Sequence, residues 1–121
     1  MRLTPRTARI LLTTALALGG FAITVAPAAA QDEAKIKRGQ SVYTAQKCQV
    51  CHAIAGKGGK ASPLDGVGTK LTAAEIEDWI KNPKDTAAKV KSTKKPPMQD
   101  KYGKLPAEDL EALVAYMQSL K

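Results

Sequence analysis

The sequence predicts an all-α fold in one small domain. No stretch of the 121 residues alternates polar and apolar side chains for long enough to indicate a half-buried strand. Three stretches instead repeat apolar residues at spacings of three and four, which places those residues on one face of a helix. The chain length leaves room for a single domain, and no internal repeat indicates a second one.

The first two predicted helices are residues 32–47 and 72–81. The inner face of the first helix is marked by three residues at helical spacing: Ile36, Gly39 and Tyr43. The second helix opens with Thr72 three positions before Glu75, the pattern of a capping box that satisfies N-terminal N–H groups. Pro83 has no backbone N–H to donate, so we expect this helix to end before it.

The third predicted helix is residues 106–120. Pro106 is expected at a first-turn position, where its missing N–H costs nothing, and acidic residues follow near the positive end of the helix dipole. The apolar stripe of this helix contains Leu110, Leu113, Val114, Met117 and Leu120. A Gly-rich loop, residues 55–68, and a Lys- and Pro-rich loop, residues 89–103, separate the three helices.

Residues 1–30 have the pattern of an export signal. Three arginines precede an apolar run at residues 10–26, and three alanines at 28–30 form the small-residue motif that signal peptidase cleaves. An uncleaved membrane anchor is the alternative, but the apolar run is interrupted by polar residues and is slightly short for a span of ~20 residues. We therefore predict cleavage after Ala30 and a mature domain of residues 31–121, exported to the bacterial periplasm.

Both cysteines and the only histidine of the chain fall in one motif, Cys48-Gln-Val-Cys51-His52. A disulfide between cysteines three apart closes almost no loop and adds little stability. A structural zinc site needs four ligands where this motif offers three. A redox-active dithiol is expected in a βαβ arrangement, which the sequence does not predict.

The remaining interpretation of this motif is covalent haem attachment, for which Cys-x-x-Cys-His is the recognised pattern. Two thiols one helical turn apart face the same way, so both can form thioethers with the two vinyl groups of one haem. His52 follows directly and can bind the iron as its proximal ligand. We therefore predict one haem c, bound through Cys48 and Cys51.

Met98 is the candidate for the second axial ligand of the iron. It follows Pro96 and Pro97, which fix φ and favour an extended, stiff path. The alternatives are that Met98 only packs against the core or that Met117 is the ligand, although a methionine in an apolar helical stripe usually fills the core. Ligation by His52 and Met98 would fill both axial positions, which suits electron transfer and disfavours substrate binding.

These motifs make residues 31–121 resemble the class I c-type cytochromes, small single-haem electron carriers. The resemblance implies a small cytochrome c fold, with three main helices and loops wrapped around one covalently bound haem. It also implies a tight crossing of the first and last helices, at which the matching residues are Gly39, Tyr43, Leu113 and Tyr116. The carbonyl of Pro63 would accept the Nδ1 proton of His52, and Trp79 would lie near a haem propionate.

The lysines predict the kind of partner. The chain has a formal net charge of +8, and Lys89, Lys91, Lys94 and Lys95 precede Met98. A positive rim at that loop would attract acidic redox proteins or membrane oxidoreductase complexes into transient docking. A solvated surface without a docking role is the alternative. Nucleic acid is not an expected partner, because no recognition motif accompanies the modest charge, and we expect a monomer.

The sequence as a whole predicts an exported electron carrier and not an enzyme. The haem iron would cycle between Fe(II) and Fe(III), and the protein would supply the ligands, the pocket and the docking face. Two alternatives remain open. One is a haem subunit of a larger oxidoreductase complex, and the other is a haem enzyme or gas sensor with an open distal site.

Overall fold

A computed structural model describes residues 28–121, and these residues form a mainly helical domain. The α-helices are α1 (Ala28–Ala45), α2 (Val67–Lys70), α3 (Ala73–Lys81), α4 (Pro83–Lys89) and α5 (Ala107–Ser119). Two strands of two residues each, β1 (Ala53–Ile54) and β2 (Lys57–Gly58), pair antiparallel. Short 3-10 helices cover Cys48–Val50 and Asp100–Lys104. The predicted all-α class is confirmed.

The three predicted helices correspond to α1, α3 and α5. The predicted capping box is present at the start of α3: the Thr72 hydroxyl accepts from the Glu75 N–H, and the Glu75 carboxylate accepts from the Thr72 N–H at 2.7 Å. This contact with the Thr72 backbone lowers the pKa of Glu75. Pro106 was predicted in the first turn of the last helix. It is instead the N-cap residue of α5, one position before the first turn.

Two short helices and the small hairpin were not predicted. Pro83 does follow the end of α3, but it also opens α4, because a proline at the first helical position needs no N–H partner and already has the required φ. The strands β1 and β2 are too short for the period of two to be visible in the sequence. The domain therefore contains the predicted three main helices together with small additional elements in the segments between them.

The crossing of α1 and α5 is the main framework of the domain. A Cβ on Gly39 would overlap the carbonyl oxygen of Ala112 and would lie 2.6 Å from the Cβ of Tyr116. Only glycine lets the two backbones approach this closely. Beside this contact the rings of Tyr43 and Tyr116 meet edge to face, with centroids 5.8 Å apart. The predicted contact between Gly39 and the last helix is confirmed.

The hydrophobic core lies between these helices and α3. Its buried members are Val42, Tyr43, Ile76, Ile80, Leu110, Leu113, Val114 and Met117. Met117 is 5% exposed, as expected of a methionine that fills the core. On the outside of the crossing, Arg38 on α1 forms ion pairs at 2.8 Å with Glu108 and Asp109 on α5.

The predicted signal segment lies almost entirely outside the described residues. The described chain starts at Ala28, so the predicted cleavage position after Ala30 falls in the first turn of α1. Among residues 28–121, no helix combines the length and the apolar character needed to cross a bilayer.

Candidate haem-binding site

The two cysteines are presented by a turn that follows α1. Lys47 adopts a left-handed backbone conformation with φ of 57°, which redirects the chain into the 3-10 helix Cys48–Val50. The Cys51 N–H donates to the Cys48 carbonyl at 3.2 Å. Because a 3-10 helix has three residues per turn, both side chains project from the same side. Both thiols are free, Cys48 half-buried against the core and Cys51 exposed.

His52 is fixed by three hydrogen bonds. Its N–H donates to the Cys48 carbonyl at 3.0 Å, and its own carbonyl accepts from the Tyr43 hydroxyl at 2.8 Å. Its ring Nδ1 lies 2.9 Å from the carbonyl oxygen of Ser62, which can only accept, so Nδ1 carries the proton. The opposite ring nitrogen, Nε2, is then the neutral nitrogen with a free lone pair for a metal.

The carbonyl that orients the histidine ring belongs to Ser62, so the prediction of Pro63 was wrong by one residue. The Leu64 N–H donates to the Ala53 carbonyl at 2.8 Å, which fixes the register of this loop against the histidine segment. The Ser62 carbonyl and the Leu64 N–H therefore both contact the histidine segment.

Two glycines allow the hairpin to pack directly against the motif. Gly58 has φ of 114°, and a Cβ there would overlap the His52 carbonyl oxygen. A Cβ on Gly59 would overlap the Val50 carbonyl oxygen and would lie 2.8 Å from Cys51 backbone atoms. The backbone of residues 58–59 thus forms one wall of the histidine segment, and no larger side chain fits in its place.

Met98 is half-buried and packs against the hydrophobic core. Cys48 packs against the same core. The loop that carries Met98, residues 91–99, contains no regular helix or strand and includes a cis peptide bond between Lys95 and Pro96. Met98 and Cys48 therefore both pack against the same hydrophobic core.

The 3-10 helix that follows Met98 lies close to the cysteines. Burial raises the pKa of the Tyr102 phenol, and the negative potential of Cys48 and Cys51 raises it further. Burial also raises the pKa of the Cys48 thiol, and the charge of Lys101 opposes that effect. Residues 101 and 102 are therefore within electrostatic range of the motif, although more than forty positions separate them in sequence.

Trp79 is half-buried on α3, next to the core residue Ile80. Its proposed position near a haem propionate stays a prediction.

The donor set of these residues fits a c-type haem. Two thiols on one side of a turn suit two thioether bonds, and an imidazole with Nδ1 tied down offers Nε2 to iron. The half-buried thioether of Met98 is the soft donor that can complete a His/Met pair. These are the side chains that could hold the cofactor and its iron.

Comparison with known proteins supports the same assignment. The profile of the family described as "Cytochrome c" matches residues 36–121, which is most of the chain. The chain belongs to the cytochrome c family. Membership implies a covalently bound haem and haem-based electron transfer, and a cytochrome c domain is generally an electron carrier. The required pair of cysteines is present at Cys48 and Cys51.

One relative of this cytochrome c domain is a subunit of a larger protein. The chain is 31% identical over 98 residues to cytochrome c oxidase subunit 2 of Alkalihalophilus pseudofirmus. The match covers 74% of this chain but only 27% of that subunit, so the chain corresponds to about a quarter of its relative. No solved structure matches the sequence.

Sequence reasoning missed three groups of this cytochrome c site. They are the Ser62 carbonyl, the Tyr43 hydroxyl and the backbone of Gly58. Tyr43 was predicted only as a ring at the helix crossing. Its hydroxyl was a detectable signal, because a buried phenol usually has a hydrogen-bond partner. Burial raises the pKa of Tyr43 to about 12, so this hydroxyl remains a donor across the physiological range.

Proposed function

We propose that the protein is an exported electron carrier with a single haem c. Cys48 and Cys51 form the two thioether bonds, and His52 and Met98 are the axial ligands. The observation that carries the proposal is the state of His52: its Nδ1–H is bound to the Ser62 carbonyl, so Nε2 is the ring nitrogen left to bind iron, next to a turn that carries two free thiols. The alanine motif at residues 28–30 supports export to the periplasm.

The haem, when bound, supplies an iron that takes up and releases one electron. The residues of the chain determine how it does so. Ser62 holds the proton on Nδ1, which fixes the tautomer and raises the basicity of the imidazole. The thioether of Met98 favours Fe(II), which raises the reduction potential. Both axial positions are then filled, and a substrate has no position at the metal.

The proposed partners are acidic redox proteins or a membrane oxidoreductase complex that bind transiently. The loop before Met98 is highly exposed, and its cationic side chains are Lys91, Lys94 and Lys95. A positive rim beside the distal ligand would steer a negatively charged partner to the haem edge. The similarity to an oxidase subunit supports an oxidoreductase as one such partner.

The same similarity favours a second candidate function, a haem subunit bound stably to a larger complex. In the relative, the matching stretch is part of a longer subunit. The two candidates differ in how they associate. A carrier separates from its partner during purification and in salt, whereas a subunit remains in the complex at the same ionic strength.

Substitution of Met98 tests the function, because the third alternative, a haem enzyme or gas sensor, requires an open distal site. In the wild-type ferric protein we expect the weak far-red absorption band of a Met-to-iron bond, and the ferrous protein should not bind carbon monoxide at neutral pH. Met98→Ala should abolish the band, lower the reduction potential and open a site for carbon monoxide. If a nearby lysine such as Lys94 or Lys95 takes the vacant position, carbon monoxide stays excluded but the band is still lost.

Met117→Leu is the matched control for this experiment. Met117 is buried in the core, so the change conserves volume and should cost at most about 1.5 kcal/mol of stability while the spectrum stays intact. Rapid carbon monoxide binding by the wild-type ferrous protein would contradict the carrier proposal and favour the enzyme or sensor.

A further inference from the structure

The backbone carbonyl of His52 is contacted by two other elements of the fold. On one side the Tyr43 hydroxyl donates to it at 2.8 Å. On the other side Gly58 packs so closely that a Cβ would overlap the same oxygen. Neither contact involves the imidazole ring, but both restrict the peptide plane from which the ring projects.

Tyr43 is itself held rigidly by the main framework of the fold. It lies on α1, is 8% exposed, and its ring contacts the edge of Tyr116 on α5 at a centroid distance of 5.8 Å. Its hydroxyl therefore reaches His52 from a position that the α1–α5 crossing defines. Packing against Tyr116 restricts the rotamers of the Tyr43 side chain, and its hydroxyl is therefore held near the His52 carbonyl.

We propose that Tyr43 is a positioning residue for the proximal iron ligand. Through the hydrogen bond of its hydroxyl, the α1–α5 crossing determines where the His52 imidazole lies. This inference rests on the proposed function, because it assumes that His52 binds the haem iron. The Ser62 carbonyl fixes the rotation of the ring, and the Tyr43 hydroxyl together with the Cys48 carbonyl fixes the backbone. The direction of Nε2 is determined only when both are fixed.

The two kinds of contact have separable effects. The Ser62 carbonyl bonds the ring nitrogen and therefore acts on the basicity of the imidazole as well as on its rotation. The Tyr43 hydroxyl bonds only the backbone oxygen. Its removal should change the orientation and the mobility of the ring but leave the proton on Nδ1. A merely structural tyrosine would change neither.

Tyr43→Phe in the holoprotein is the direct test. It keeps the ring contact with Tyr116 and removes only the hydroxyl. We expect the paramagnetically shifted proton NMR resonances of the His52 ring in the ferric protein to move and broaden, and the reduction potential to shift. The far-red band should persist, since Met98 is not affected. These changes should be present well below the melting temperature of the variant.

Tyr116→Phe is the control, because it removes a phenol hydroxyl from the other ring of the same pair and leaves the His52 hydrogen bonds in place. Its His52 resonances should match the wild type. Tyr43→Phe resonances and potential identical to the wild type would overturn the inference, even if the variant melts earlier. A wild-type protein without covalent haem would instead contradict the proposed function.

A measurement on the unaltered holoprotein gives a second test that does not depend on any variant. The Tyr43 hydroxyl proton should exchange slowly with solvent and should show a nuclear Overhauser effect to the Hα of Ala53, because in a trans peptide the carbonyl oxygen lies on the same side as the next Cα. Rapid exchange of this proton with solvent would overturn the inference.

Discussion

The two candidate axial ligands belong to segments that are held in place in different ways. In the proximal segment, residues 48–64, the N–H groups of His52, Gly59 and Leu64 all donate to backbone carbonyls within the segment at 2.8–3.0 Å. In the distal loop, residues 91–99, the N–H groups of Lys91 and Ser92 donate to carbonyls of α4, but the polar contacts of the rest of the loop are those of exposed side chains. Examples are the Ser92 hydroxyl, which accepts from a backbone N–H in the loop at 3.3 Å, and the Lys94 amine, which donates to the Ala61 carbonyl at 3.4 Å.

This difference indicates separate roles for the two sides of the haem. Backbone hydrogen bonds shielded from water resist local opening, whereas a segment with exposed polar contacts and little regular structure opens at low free energy. The proximal side should therefore keep its geometry in both oxidation states. The distal side depends on the packing of Met98 against the core and on proline stiffness, and it should be the side that opens first.

The largest expected effect comes from breaking the proximal segment at Gly58. Gly58→Ala adds a Cβ that would overlap the His52 carbonyl, at a φ of 114° that an alanine rarely adopts. We expect a loss of roughly 2–6 kcal/mol in the free energy of unfolding, made of about 1–3 for overpacking and about 1–3 for backbone strain. Denaturant unfolding of the holoprotein measures this loss.

Gly56→Ala is the matched control within the same hairpin. Gly56 has φ of 75°, but a Cβ there meets nothing within 4 Å. This variant should lose only the strain of about 1–3 kcal/mol. If the two variants unfold alike, the close approach of Gly58 to His52 does not contribute, and the proximal segment is less tightly packed than its contacts indicate.

The sequence predicted the parts of this molecule that local spacing determines. The helical periods located α1, α3 and α5, and the Cys-x-x-Cys-His spacing identified the candidate haem residues because the required chemistry is contained in five consecutive positions. The contact at Gly39 was predicted from the resemblance to a family and is confirmed by the approach of Ala112 and Tyr116.

The features that the sequence did not predict depend on pairing between distant segments. The Ser62 carbonyl meets the His52 ring in a loop that the hydrogen bond from Leu64 to Ala53 holds against the histidine segment, and these contacts join residues about ten positions apart. Likewise, the hydroxyl of Tyr43 finds its partner only after α1 has packed. Neither relation has a counterpart in local periodicity.

An intermediate effect is expected from the lysines on the two sides. Lys94 and Lys95 belong to the distal loop, whereas Lys57 and Lys60 flank the glycines that pack on the proximal turn. If partners dock at the distal rim, reversing Lys94 and Lys95 to Glu should slow association with an acidic partner by about tenfold at low salt, more than the same change at Lys57 and Lys60. Stopped-flow electron transfer at varied ionic strength measures both rates.

Two outcomes of this comparison would contradict docking at the distal rim. Equal slowing by the two pairs would mean that net charge alone matters. A larger effect at Lys57 and Lys60 would indicate that partners dock beside the turn that carries the cysteines. For both pairs the effect should shrink as salt rises, since the Debye length is ~8 Å at physiological ionic strength and ~3 Å at 1 M.

The smallest expected effect comes from the ion pair between Lys84 on α4 and Asp100, the residue that follows the distal loop. The Lys84 amine donates to the Asp100 carboxylate at 2.6 Å, and both side chains are exposed. This hydrogen bond raises the pKa of Lys84 above its ordinary value. A raised pKa in the folded state means that the contribution to stability is complete below the ordinary pKa of lysine and disappears as the pH rises through the folded value. It is therefore fully present at neutral pH.

Lys84→Met removes this charge but keeps the length of the side chain. We expect the far-red band of the Met98–iron bond to disappear at a slightly lower temperature than in the wild type at low salt, and at the same temperature in 1 M salt, where the exposed pair is screened. Lys70→Met, which changes a lysine in α2 away from the distal side, should leave that temperature unchanged at both salt concentrations. If Lys84→Met still lowers it in 1 M salt, the lysine supports the distal side by packing its stem and not by its charge.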